Sequence, residues 1–158
     1  MIQNYFLWNS YKLGLKQTKE LKSIQNEKLL WHGSTNCDPQ KIYQGEEGFD
    51  MKYGQPGMWG KGLYFAEKSS YSNHFSYKYP NGERGQFFAM VNLGEEDQMD
   101  YKDECRKMIE PTQSKDSVKG FTNDSNVYIV YANKKAYPQF YVRYRLREGE
   151  EESKGHQN

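Results

Sequence analysis

Apolar residues recur at Leu7, Trp8, Tyr11 and Leu15, a spacing that puts them on one face of a helix, and Asn4 stands where an N-cap belongs. Lys16 to Lys28 is polar and reads as surface cover, and Lys28 to His32 as a short buried strand. Asp38-Pro39 marks a second helix start, with Asp38 as cap and Pro39 at the first helical position; that helix should run to about Gln44 and stop at Gly45. Phe49 to Gly60 carries Gly54, Pro56, Gly57 and Gly60 and reads as a loop with several special backbone angles. Leu63 to Ala66 is a short strand, Glu67 to about Phe75 a helix, and Pro80-Asn81-Gly82 a turn. Gln86 to Leu93 reads as a strand buried on both faces, whereas Gly94 to Thr122 has mixed charge, little periodicity and the character of a loop. Val127 to Tyr131 and Gln139 to Arg145 are β-branched and aromatic, and read as strands around a turn at Ala132 to Lys135. Glu148 to Asn158 is a charged tail expected to fray. Helices placed early and strands placed late predict an α+β fold rather than alternating βαβ units, in a domain covering 1–147.

Composition narrows the classes. The chain has 158 residues, enough for one domain that hides roughly 70% of its unfolded surface. Only 35% of it is apolar, but 14 tyrosines, 8 phenylalanines and 3 tryptophans can build both a core and the walls of a flat-ligand pocket. A formal net charge of +1 argues against nucleic acid or an anionic membrane as partner. Cys37 and Cys105 form neither a disulfide framework nor a metal-ligand pattern, so no metal is expected. The start has no basic and apolar leader pattern, and no apolar run could span a bilayer. The expectation is a soluble, intracellular protein, cytoplasmic or nuclear, with leaderless export of an effector as the other option. No Gly-x-Gly-x-x-Gly follows a strand, so a nucleotide would not be held by a dinucleotide-binding turn.

The candidate chemistry begins at Leu30-Trp31-His32-Gly33-Ser34, where an apolar strand delivers a histidine to a glycine turn. Gly62, Tyr64, Ser70, Ser72 and Phe75 complete the set. Each has an ordinary reading: a structural histidine, a core tyrosine, capping serines, glycines that permit a bend. Jointly they offer free backbone, a hydroxyl and two rings, which an aromatic carboxamide needs: a donor, an acceptor and a face to stack on.

At these residues the chain resembles the catalytic domain of the poly(ADP-ribose) polymerases, the diphtheria-toxin-like ADP-ribosyltransferases, of the mono-ADP-ribosylating type. The resemblance runs through Ile2-Gln3-Asn4 with Leu7, Trp8 and Tyr11; His32-Gly33-Ser34; Gly48-Phe49-Asp50; Met58 to Ala66; Ser69-Ser70-Tyr71-Ser72; and Ala136-Tyr137-Pro138-Gln139-Phe140. It implies two packed, mainly antiparallel sheets with flanking helices and an NAD cleft between them. It also implies NAD as substrate, held by His32, Gly33, Ser34, Tyr64, Ser72 and Phe75. Gly33 and Ser72 would take the nicotinamide carboxamide, Tyr64 and Phe75 its two faces, and His32 with Ser34 the ribose and adenosine side. The family position at Phe75 is often tyrosine, a mild departure. The zinc-binding insertion and the preceding helical regulatory region of some relatives have no counterpart in the chain.

The catalytic set would be His32, Tyr64 and the position of Val127, where polymerising relatives carry a glutamate used in chain growth. Valine has no acid–base or hydrogen-bonding capacity. Asp124, three residues away, would point to the other side of a regular strand. The implied activity is therefore transfer of one ADP-ribose from NAD to a protein acceptor, the protein itself being one candidate. The competing readings are an inactive member that binds NAD or a protein, and a transferase acting on nucleic acid. His32 and Tyr64 together favour activity, and the small basic cluster of Lys134, Lys135, Arg143 and Arg145 is too slight to favour nucleic acid.

Overall fold

The computed structural model describes residues 1–112 and 114–147. The charged stretch Glu148 to Asn158 lies outside the described residues.

Helix α1, Tyr5–Lys22, starts where Asn4 caps it: the Asn4 side chain accepts from the Leu7 amide at 3.1 Å. Leu7, Tyr11 and Leu15, four residues apart, are buried on one stripe. Trp8 stays at the rim, 37% exposed, edge-on to Tyr137 with ring centres 5.1 Å apart. The helix extends through Lys22 into the stretch expected to be mere surface cover, and Ser23 ends it in the left-handed conformation, donating to Lys19 O. Polar residues there are solvated without breaking the helix. Helix α2, Pro39–Gln44, begins at the Asp38 cap and ends at Gly45, as its sequence signals predict. Helix α3, Ser69–Asn73, is shorter than the expected run to Phe75.

Eight strands are hydrogen-bonded into one network: β1 Glu27–His32, β2 Leu63–Ala66, β3 Tyr77–Lys78, β4 Arg84–Asn92, β5 Glu96–Gln98, β6 Ser117–Thr122, β7 Ser125–Val130 and β8 Ala136–Tyr144. The fold is α+β, and every pairing except β5 with β6 is antiparallel. The network has two halves. In one, β4 pairs with β8 through Arg84 to Val91, and with β3 and β1 through Arg84–Gly85 and Phe87–Asn92. In the other, β2, β7, β6 and β5 follow in order. A single register pair, Trp31 with Ala66, joins the halves. Past that pair the strands part, and there the site opens.

One expectation needs correction. Gly94 to Thr122 is not mostly loop: it contains β5, β6 and a 3-10 turn at Asp103–Lys107. These strands are Glu-Asp-Gln and Ser-Val-Lys-Gly-Phe-Thr, almost without apolar alternation, so only the pairing of β6 with β7 and of β5 with β6 reveals them. The strands expected around a turn at Ala132 to Lys135 are present as β7 and β8 with a 3-10 turn at Asn133–Lys135 between them, and they pair apart, β7 with β2 and β6, and β8 with β4. They belong to different halves.

The core lies on both faces of the second half. Tyr128 and Val130 pack with Leu30, Phe49, Phe65 and Phe87, while Val127 and Ile129 pack with Trp59, Val118 and Cys105. Burial on both faces explains the unbroken apolar run of β7.

Candidate functional site

β1 and β2 carry His32 and Tyr64 to the point where the two halves separate. The carbonyl oxygen of Tyr64 can only accept, so His32 Nδ1, 2.8 Å away, carries a proton and donates to it. This leaves Nε2 as an acceptor when the ring is neutral. Phe49 and Phe65 crowd the imidazole at ring-centre distances of 4.9 and 5.1 Å. Loss of water lowers its pKa to about 4, against the opposing pull of the Tyr64 carbonyl. The ring is therefore neutral at pH 7.

Tyr64 is fixed at its other end. Its hydroxyl donates to Gly60 O at 2.7 Å and accepts from the Trp59 amide at 3.0 Å. Burial raises its pKa, so the phenol stays protonated. With the hydroxyl engaged, what Tyr64 has left to offer is the face of its ring. Gly57 lies against that ring; a Cβ there would come within 2.7 Å of the Tyr64 hydroxyl and Cζ.

Gly33 has an equally tight neighbour. A Cβ on it would lie 2.3 Å from the Phe75 carbonyl. The turn's backbone bonds run from the Thr35 amide to Phe75 O and from the Cys37 amide to Ser34 O, both at 2.9 Å, and none uses Gly33. α3 brings up Ser72, which is buried, while its hydroxyl takes no partner among the described residues. Ser34 is 6% exposed, and its Oγ is buried without a hydrogen-bond partner. Phe75, just past α3, is half exposed beside Tyr71, ring centres 5.6 Å apart.

All six residues expected to hold a nucleotide, His32, Gly33, Ser34, Tyr64, Ser72 and Phe75, line one cavity of about 470 Å³. That size suits a small-molecule site. Val127 does not line it. It is fully buried in β7, opposite Ala66 and Gly120, among Trp59, Val118 and Ile129. Asp124 is no substitute: it sits in the tight β6–β7 turn with φ 59°, its carboxylate exposed and paired with Lys68 at 2.5 Å.

The resemblance sets the loop Met51 to Met58 at the border of the site, and Tyr53, Gly57 and Met58 of that loop do line the cavity, as does Asp50 just before it. Burial alone would raise the Asp50 carboxyl, but hydrogen bonds from Lys52 and Asn133 outweigh it and hold it below its ordinary value. Sequence reasoning missed Arg106, which reaches the cavity from the segment that looked like featureless loop, and Asn123, in the turn just after it. No local pattern marks either one; only the folding of β5, β6 and the 3-10 turn brings them there.

The basic residues near the C-terminus do not form a cluster. Lys134 and Lys135 precede β8, and Arg143 and Arg145 stand at its far end, roughly 25 Å away at the rise of an extended strand. Lys135 pairs with Asp116 at 3.4 Å, Lys134 with Glu47 at 3.8 Å, and both arginines with Glu83. Among the described residues no group of three histidine, cysteine or acidic side chains could hold a metal, and no helix is long and apolar enough to cross a membrane.

The poly(ADP-ribose) polymerase catalytic domain family model matches residues 2–127. A probable poly(ADP-ribose) polymerase of Dictyostelium discoideum is 31% identical over 152 residues, spanning 92% of this chain and 43% of that protein. Human protein mono-ADP-ribosyltransferase PARP14 is 28% identical over 153 residues, 91% of this chain and 8% of its own length. Human protein mono-ADP-ribosyltransferase PARP12 is 27% identical over 154 residues, 90% of this chain and 21% of its own length. The chain thus spans less than half the length of each of these relatives.

Proposed function

Because the chain belongs to the poly(ADP-ribose) polymerase catalytic domain family, we propose that it takes NAD, releases nicotinamide and transfers a single ADP-ribose to a protein acceptor, the protein itself being one candidate. The observation that carries this reading is that the six residues expected to hold NAD line one cavity, while a buried valine stands where the resemblance sets the glutamate of polymerising relatives. The mono-ADP-ribosyltransferase names of two similar human proteins support it.

The cavity's chemistry fits the dinucleotide. An orphaned Ser34 Oγ, an unpartnered Ser72 hydroxyl and the backbone of Gly33 are hydrogen-bonding groups that a polar ligand would satisfy. Gly33 and Ser72 hold the carboxamide, whose amide needs one donor and one acceptor. Tyr64 and Phe75 cover the two faces of the nicotinamide ring. Neutral His32 accepts a ribose hydroxyl at Nε2, and Ser34 serves the same side. NAD supplies an ADP-ribosyl group attached to a cationic leaving group. Breaking the bond between ribose and nicotinamide develops positive charge on the sugar, as in glycoside hydrolysis. The chain's part is to grip the departing ring and fix the ribose, which is catalysis by positioning. Val127 cannot remove a proton from a ribose hydroxyl, so chain growth has no base at that position.

Incubation with labelled NAD tests this. Nicotinamide should be released and label should appear on protein as single units, and His32→Ala should abolish both. A protein that binds NAD yet yields neither product is not a transferase. A long ladder of labelled product overturns the argument from Val127.

A further inference from the structure

The loop 51–58 makes up much of the cavity's lining: Tyr53 and every residue of 54–58 line it, as does Asp50 just before. Its far end is fixed beside Tyr64. Gly57 and Gly60 exchange backbone hydrogen bonds at 3.0 and 3.1 Å, and Gly57 lies against the Tyr64 ring. Its near end is one 3-10 turn, Met51–Tyr53, capped by Asp50. The Asp50 carboxylate accepts from the Lys52 amide at 3.0 Å and pairs with the Lys52 ammonium at 2.9 Å. A lone 3-10 turn fixes more backbone angles than its own hydrogen bonds offset, so it needs support from outside.

That support comes from 82 residues further along the chain. Asn133 opens the 3-10 turn between β7 and β8, and β7 is buried at every position but Asn126, which makes the turn a firm base. The side-chain carbonyl of Asn133 accepts from the Met51 amide at 3.0 Å. That amide is the first donor of the Met51–Tyr53 turn and has no partner within it. The side-chain amide of Asn133 donates to Glu47 at 3.3 Å and to Asp50 at 3.4 Å. Lys134, the next residue, pairs with Glu47 and donates to the Glu46 carbonyl. An asparagine supplies the acceptor and the donors at once, which neither an ionised aspartate nor an alanine does.

We propose that Asn133 is a positioning residue for NAD: from outside the cavity it fixes the near end of the loop 51–58, so that this wall is in place before the ligand arrives. This rests on the NAD reading above. Without Asn133 the wall is in place for only a fraction of the time, and the observed Kd for NAD rises by the inverse of that fraction. His32 and Tyr64 keep their own hydrogen bonds, none of which passes through Asn133. The effect therefore falls on binding and not on the chemical step.

The test uses the full chain, with NAD titrated by calorimetry and nicotinamide release from labelled NAD as the second readout. Asn133→Ala should raise the Kd and the KM for NAD about fivefold to tenfold, the value of one or two neutral hydrogen bonds, and leave kcat within about twofold. The variant should fold, because the Lys135 amide still bonds to the Ala132 carbonyl at 3.2 Å and Met51 and Tyr53 still rest on the core. Asn133→Asp has the same shape and still accepts from Met51. At pH 7 its carboxylate would face those of Asp50 and Glu47, which are already paired with Lys52 and Lys134, so NAD should bind no better than to Asn133→Ala. At pH 5 the added carboxyl gains a proton it can donate, and NAD affinity relative to wild type should recover by about twofold or more, with no such recovery in Asn133→Ala. Three results overturn the proposal: an Asn133→Ala protein that binds NAD like wild type, even if it melts earlier; a fall in kcat with KM unchanged; or wild-type affinity in Asn133→Asp at pH 7. Wild type that binds no NAD is a different outcome, and it overturns the NAD reading itself.

Discussion

His32 Nδ1 donates to the carbonyl oxygen of Tyr64 at 2.8 Å across the joint between the two halves of the sheet. One bond thus orients the imidazole, selects its tautomer and ties the β1 end to β2. Removing it leaves a carbonyl without its partner, at about 1–3 kcal/mol.

This arrangement has a pH signature. Burial lowers the His32 pKa from 6.5 to about 4. Between those values the unfolded chain binds more protons than the folded one. The contribution is therefore constant above about pH 6.5 and falls as the pH drops towards 4, by about 3 kcal/mol at most. Denaturant titrations at pH 7 and pH 4.5 should show a larger loss for wild type than for His32→Gln. Equal losses would mean that His32 keeps its water.

Ser34→Ala should separate stability from binding. Its Oγ is buried without a partner among the described residues, so removing it should raise stability by about 1 kcal/mol. The same change should weaken NAD binding about fivefold, since the proposed ligand satisfies that hydroxyl. Thermal melts and NAD titrations of the one variant check both signs.

Gly33→Ala should fail at both. The added methyl would meet the Phe75 carbonyl at 2.3 Å, and backbone atoms cannot rotate away. A loss of about 1–3 kcal/mol is expected from the displaced turn, with NAD binding lost. A variant that melts like wild type and binds NAD would show that β1 and Phe75 lie farther apart.

Ser72→Ala should leave the fold unchanged, because its hydroxyl bonds to nothing among the described residues, and should weaken nicotinamide binding about tenfold. Calorimetry with nicotinamide alone isolates this contact from the rest of NAD.

Val127→Glu should not create a polymerase. The site is fully buried among Trp59, Val118 and Ile129, an apolar cluster where a carboxylate would lose its water. The expected result is destabilisation of about 3 kcal/mol or more and no ladder of labelled product. A stable variant that forms a ladder would show that position 127 opens towards the cavity.

The sequence by itself determined the parts whose information is local. The Asn4 and Asp38 caps, the Leu63–Ala66 strand, the histidine–glycine turn and the absence of an acid at Val127 all depend on residues adjacent in the chain, and the structure holds each where the sequence placed it. Only the tertiary structure decided that β7 and β8 part into different halves, that a polar segment forms β5 and β6, and that Arg106 and Asn123 reach the cavity. It also decided the charge of His32. Those outcomes depend on strand pairing and burial between segments far apart in the chain. An exposed polar strand or a desolvated imidazole takes its character from neighbours that its own stretch of sequence does not contain.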